Sequence, residues 1–261
     1  MIWLRVFFNG GVTSYRALFT WINPWLAVPM LVLYPIFQTL FFVYLGRSAG
    51  VETDSFFLIG NTFIATAVTG LFGMGQAMAG ERRFQTLPIL LGSPASRLAL
   101  FLGRAIPSMI NGFVVAAISF ALGVWIVGIH YDGGTIAALA VALFTSCFAC
   151  TALGLCIGSL GIRGRSVGLF ADSISGSMLI VSGANVPFER LPHILRTISS
   201  GIPLTHGIAT ARQLATGATL RHVEPLLDKE LLVGCVYLVI GLALVSIFER
   251  EGRRTGALDR F

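Results

Sequence analysis

The sequence predicts an all-α polytopic membrane protein with six transmembrane helices, and three observations predict it. Apolar residues make up 55% of the 261 residues and charged residues only 11%, with a mean hydropathy of +0.83; a soluble domain carries about a quarter charged residues. The apolar residues fall into runs of about 18 or more, long enough for helices to cross a hydrocarbon core of about 30 Å. The arginines cluster at the ends of those runs, on alternate loops. Because the runs are continuous rather than alternating, a membrane β-barrel is excluded.

The elements follow in order. Met1-Ile2-Trp3-Leu4-Arg5 lacks the basic stretch, clean apolar core and cleavage site of a secretory leader. Residues 1–22 instead mix Arg5, Asn9, Ser14 and Arg16 with Phe7, Phe8, Tyr15, Leu18, Phe19 and Trp21. That pattern predicts an amphipathic interfacial helix, arginines toward headgroups and aromatics toward acyl chains; a plain extension of the first span is the alternative. Asn23-Pro24 suits a helix start and opens a first span over 24–45. The further spans are read over 56–79, 104–129, 135–160, 166–184 and 231–248. Gly154 with Gly158, and Gly164 with Gly168, have the spacing that lets helix backbones approach closely. No internal repeat and no linker divides the chain, so 1–261 is read as one membrane domain.

Net charge is +6, with Lys229 the single lysine. In a soluble chain this balance points to nucleic acid; here it reports orientation. Arg82, Arg83, Arg97 and Arg104 follow the second span, Arg163 and Arg165 the fourth, and Arg250, Arg253, Arg254 and Arg260 the sixth. The intervening loops hold Arg47, Glu52, Asp54 and Asp132. Arginine-rich loops belong on the cytoplasmic side, which places both termini inside and 185–228 outside. A cysteine at Ser199 is then expected to react with an impermeant reagent from outside, and one at Ser96 is not. The outer segment is too broken by Pro187, Pro192 and Pro203 to span, and too apolar to be a free loop. Short helices re-entering the membrane, or a small external cap, account for it.

Little in the chain reads as chemistry. A phosphate-binding loop needs a lysine after a glycine-rich turn, and Lys229 sits in Asp228-Lys229-Glu230 instead. Cys147 and Cys150 form a C-x-x-C inside an apolar run, without a second pair or a neighbouring histidine. His130, His193, His206 and His222 lack metal-ligand spacing. Asp172 is the ionisable residue expected within a span; pairing with an arginine near the span's end is the preferred reading.

The segment with the strongest signature is Glu81-Arg82-Arg83-Phe84-Gln85-Thr86-Leu87, followed by Leu90-Leu91-Gly92-Ser93-Pro94-Ala95-Ser96-Arg97 and Gly103-Arg104. It resembles the cytoplasmic signature of the type-2 ABC-transporter permeases, the membrane subunits of bacterial ABC exporters. Gln85 stands where that family usually has glycine, and Pro88 where it has glutamate. Leu191-Pro192, Pro203-Leu204-Thr205-His206, Arg212 and Gly217 resemble the family's re-entrant region before the last span. The resemblance implies a coupling helix within 80–103 that docks on an ABC ATPase, with Glu81, Arg82 and Arg83 in charged contacts and Thr86 and Leu87 seating it. It implies two ATPase copies and a second permease, identical or a sister subunit. No cofactor is expected on this chain; ATP and Mg belong to the partner ATPase, and the chain itself is a transport subunit, not an enzyme.

The expected activity is export of a hydrophobic or amphipathic compound (drug, natural product or lipid) across a bacterial cytoplasmic membrane. A lipid-linked glycan is the alternative within the family, and an ATPase-independent carrier the alternative outside it. Phe37, Gln38, Phe41 and Tyr44 recur at spacings that put them on one face of the first span. Ser173 and Ser177, with Ser182, offer hydroxyls in the fifth. Together they form the candidate substrate path between two protomers; lipid-facing or packed aromatics are the other reading.

Overall fold

The structure is a computed structural model that describes residues 32–83, 97–160 and 167–255, with side chains over 32–75, 102–160 and 167–248. The predicted interfacial helix 1–22, the start of the first span, Thr86, Leu87, Ser96, Gly164 and Arg165 lie outside these residues. The described residues form α1 (Tyr34–Ala49), α2 (Asp54–Arg83), α3 (Arg97–Val127), α4 (Gly133–Leu160), α5 (Val167–Val181), a 3-10 turn (Phe188–Arg190), α6 (His193–Ser199), α7 (Thr205–Ala215) and α8 (Leu220–Thr255). There is no strand among them. The chain is a polytopic helical membrane protein.

Helices stand at all six predicted positions, and four are long and apolar enough to cross a membrane: Asp54–Gly75, Leu102–Val127, Gly133–Leu160 and Leu220–Phe248. The described parts of α1 and α5 are 16 and 15 residues, about 23 Å at 1.5 Å per residue. Several boundaries move outward from those expected, among them the starts of α3 and α8. α3 starts at Arg97 rather than 104. α8 starts at Leu220 and takes up the end of 185–228, which was expected to lie wholly before the last span.

Polarity is distributed as a lipid solvent demands. Ile106, Ile110, Val114 and Ile118 form an exposed apolar stripe on α3, and Leu232, Val236, Val239 and Ile240 an exposed apolar face on α8. Inside lie Asn61, Thr62, Thr66 and Thr69 of α2, Ser108 and Ser119 of α3, and Ser146 and Thr151 of α4. Two of these hydroxyls bond their own helix: Thr66 Oγ1 donates to Phe63 O at 2.7 Å and Thr69 Oγ1 to Ala65 O at 2.7 Å.

α2 is the centre of the bundle and packs against α1, α3, α4, α5 and α7; α4 lies beside it and carries α8 on its other flank. A β-carbon at Gly154 of α4 would stand 2.7 Å from Gly70 O of α2, so these two glycines set the approach of the central pair. Gly168 plays no such part. A β-carbon there would meet open space, contrary to the packing role expected for it. Asp132 starts α4 by accepting Thr135 N–H at 3.1 Å and Thr135 Oγ1–H at 2.6 Å, the usual device for an N-terminal helix turn. α3 runs antiparallel to α2, with Gly123 against Leu58 and Ser108 against Gly73. Arg83 and Arg97 therefore mark one end of the bundle and Asp54 the other.

Candidate functional site

Three groups of residues carry functional interest, and the fold puts them in different places. The first is the aromatic face of α1. Phe37, Phe41 and Tyr44 are 65%, 61% and 53% exposed, so they stand together away from the bundle. Phe42 turns inward and meets the Phe41 ring edge-on. Gln38 departs from the expected grouping: it is half-buried and reaches Asn61 of α2, Nε2 to Oδ1 at 3.4 Å. Tyr44 carries the guanidinium of Arg47 over its ring at 5.3 Å, while Arg47 is itself fixed to Asp54 at 2.6 Å.

α5 supplies the second face. Leu169, Phe170, Asp172, Ser173, Ser177 and Ile180 are all exposed on it. Ser173 Oγ donates to Leu169 O and Ser177 Oγ to Ile174 O. Each hydroxyl keeps its lone pairs for an outside donor. Asp172 has no ionic partner among the described residues, and it stands with the two serines rather than against the bundle; Arg163 and Arg165, the arginines at that end of the span, lie outside those residues. α1 and α5 each pack on α2, so the two faces flank one central helix.

The charged run forms the third group. Glu81, Arg82 and Arg83 are the last residues of α2. The apolar span therefore continues without a break into the charged residues, and whatever moves Arg83 moves the helix.

At the Asp54 end the chain between α5 and α8 folds back on the bundle. α5 ends at a turn whose Gly183 has φ +82. Gly60 of α2 admits that turn, because a β-carbon there would collide with Ala184 O. Asn61 Nδ2 donates to Asn185 Oδ1 at 2.8 Å, and Asn185 Nδ2 to Leu179 O at 3.2 Å. α7 then enters the bundle. Its Gly207 is pressed on Phe63 and Ser146, a level about 14 Å along α2 from Asp54.

Two ionic side chains hold this arrangement, Glu230 buried and Arg212 half-buried, and sequence reasoning gave neither its role. Glu230 of α8 is 0% exposed. Its Oε1 accepts Leu204 N–H at 2.7 Å and its Oε2 accepts Gly207 N–H at 3.1 Å. A carboxylate at a helix N-terminus is well placed against the helix dipole, and it keeps Leu204 at φ +81, a left-handed conformation rare for a branched side chain. Arg212, at the other end of α7, donates Nη1 to Gly183 O at 2.8 Å, and Nη2 to Ala184 O at 2.8 Å and Phe56 O at 3.2 Å. Its guanidinium lies 3.4 Å over the Phe56 ring. Burial pushes that guanidinium down to about 9, against the pull of Glu52 and Glu189, so it stays charged at neutral pH. Ser199, expected to be reachable from outside, is buried; its Oγ donates to Val181 O at 2.6 Å. Ser200 beside it is exposed.

The family described as ABC-2 type transporter matches residues 13–215. Among individual proteins, the chain is similar to the Inner membrane transport permease YhhJ of Escherichia coli (strain K12), 26% identical over 184 residues, covering 69% of this chain and 47% of that one. It is also similar to the Probable multidrug ABC transporter permease YbhR of Escherichia coli (strain K12), 29% identical over 143 residues, covering 53% of this chain and 37% of that one. The chain spans about half the length, or less, of the curated relatives it matches.

Proposed function

The chain belongs to the ABC-2 type transporter membrane family, and on that premise we propose that it is the transmembrane subunit of an ATP-driven exporter of hydrophobic or amphipathic compounds. The observation that carries this reading is the family match over 13–215, which takes in both the charged end of α2 and the folded-back segment through α7. ATP hydrolysis falls to two copies of a separate ABC ATPase, which also hold ATP and Mg. A second permease, identical or a sister subunit, completes the path.

The six-span topology belongs to this proposal: the expected first span over 24–45, then α2, α3, α4, α5 and α8, with both termini cytoplasmic in a bacterial inner membrane. α6 and α7 then re-enter from the outer side. Residues 80–103 form the coupling region: Glu81, Arg82 and Arg83 grip the ATPase, and Thr86 with Leu87 seats it. The exposed aromatics Phe37, Phe41 and Tyr44 face Ser173 and Ser177 across the junction of two protomers. An aromatic wall with few charges suits an amphiphile arriving from the leaflet better than an ion. The name of one relative, a probable multidrug permease, points the same way, and a lipid-linked glycan is the rival substrate.

The test is co-purification of the tagged chain from its own membranes. An ATP-hydrolysing subunit is expected in stoichiometric amount, and its activity in liposomes should rise with amphiphiles. Transport by the chain alone, without nucleotide, would sink the proposal and favour an independent carrier.

A further inference from the structure

Between α5 and α8 the structure contains a short helix fixed at both ends by ionic side chains. The N-terminus of α7 is held by Glu230 of α8 through two N–H bonds. Arg212, near its C-terminus, is held by three backbone carbonyls, two in the turn after α5 and one on α2. Taking a carboxylate and a guanidinium out of water is costly, and here they bond different partners rather than each other. The flanking contacts repeat the pattern. Tyr237 Oη of α8 donates to Gly201 O at 3.1 Å, and Ser199 Oγ of α6 to Val181 O of α5. Along α7 itself, Gly207 lies against Ser146 of α4 so closely that no side chain fits between them.

We propose that α7 is a strut pinned at both ends, Glu230 fixing it to α8 and Arg212 fixing it to α2 and to the turn after α5, so that α8, α2 and α5 move as one body at the Asp54 end. The two side chains are positioning residues. An 11-residue helix is about 16 Å long and too short to bend, so displacement of α8 at Glu230 is passed to Gly183 and Ala184 at the other end. In the transport cycle proposed above, on which this last step rests, the strut ties the closing of the path beside α5 to the position of α8.

Hydrogen exchange in the full chain, in lipid nanodiscs, tests the strut without reference to transport. Glu230→Gln should speed exchange at Leu204 and Gly207 at least tenfold and also speed it at Gly183–Asn185, at the far end of α7. Arg212→Lys should do the reverse, loosening Leu204 and Gly207 from the far end. Glu224→Gln, exposed on α8, should change neither. Should Glu230→Gln fail to accumulate, Tyr237→Phe, which removes one bond between α8 and the turn before α7, takes its place. Effects confined to the mutated end would overturn the strut. With the ATPase present, each single variant should lower transport per ATP hydrolysed about tenfold, and the double variant should be no worse than either, because a strut broken once is broken. Multiplied losses in the double variant would also overturn it. A chain that binds no ATPase defeats the transporter reading and leaves the exchange result to decide the strut.

Discussion

Gly207 and Ser146 meet where α7 enters the bundle, and their contact fixes how deep it goes. Gly207→Ala is expected to lose about 1–3 kcal/mol, as overpacking of a closed interior does, and Ser146→Ala on the same chain to recover part of it by removing the colliding oxygen. Thermal unfolding of the solubilised protein checks this; equal midpoints for the wild type and Gly207→Ala would show that α7 shifts freely. His206, next in the chain, gives a pH dependence. Burial holds its imidazole below the ordinary 6.5, against a bond to Ser200 O that raises it. A histidine with a depressed folded value contributes stability above its unfolded pKa, lost as pH falls through the folded one. The wild type should therefore lose stability below about pH 6.5, and His206→Asn should lose less; parallel pH profiles would remove His206 as the cause. Residues of this kind are the hardest to find in a sequence. Glu230 sits in Asp228-Lys229-Glu230 and reads as the polar flank of a span. Only the return of α7 onto α8 buries it, and no local pattern announces that return. Arg212 stood out through resemblance alone, and the carbonyls it holds come from residues 28, 29 and 156 positions away.

Elements were more legible, because a run of apolar residues is its own signal. The helices at 54–83, 97–127 and 133–160 were readable to within several residues. The error at α8 has a physical cause: Leu220–Glu230 alternates charged and apolar residues, so hydropathy places it outside, while its backbone continues the helix and Pro225 does not end it. α2 carries the prediction for coupling. Reversing charge at Glu81, or at Arg82 with Arg83, should leave the protein in the membrane and ATP hydrolysis intact while lowering transport about tenfold. Normal transport by such variants would reduce the run to a topology signal. α1 carries the prediction for substrate. Phe37→Ala with Phe41→Ala removes exposed rings, not packed ones, so folding should be unaffected and the amphiphile stimulation of the ATPase should change. An unchanged response across a panel of amphiphiles, with the complex intact, would return those rings to the lipid.

For the whole molecule, sidedness is the statement on which all others depend. A cysteine at Ser200, which is exposed, should react with an impermeant reagent applied outside the cell, and one at Ser96 only after the membrane is opened. Ser199 serves as the internal control and should stay protected from both sides. The opposite pattern at Ser200 and Ser96 would invert the topology. The inside-out polarity of the bundle, apolar on the exposed stripes of α3 and α8 and hydroxyl-bearing between helices, was foreseeable only as composition. Which threonines face inward on α2 depends on how α3 and α4 pack around it.

The unbroken length of α2 has a consequence in simple geometry. The helix is gripped at Gly60 by the turn after α5, and its charged residues lie about 35 Å further on. With the grip as pivot and the helix as lever arm, a tilt of about 10° at one end sweeps Arg83 through about 6 Å, more than a full helical turn's rise. Small angles at one surface of the membrane thus become distances large enough for a soluble protein at the other to exert or to feel.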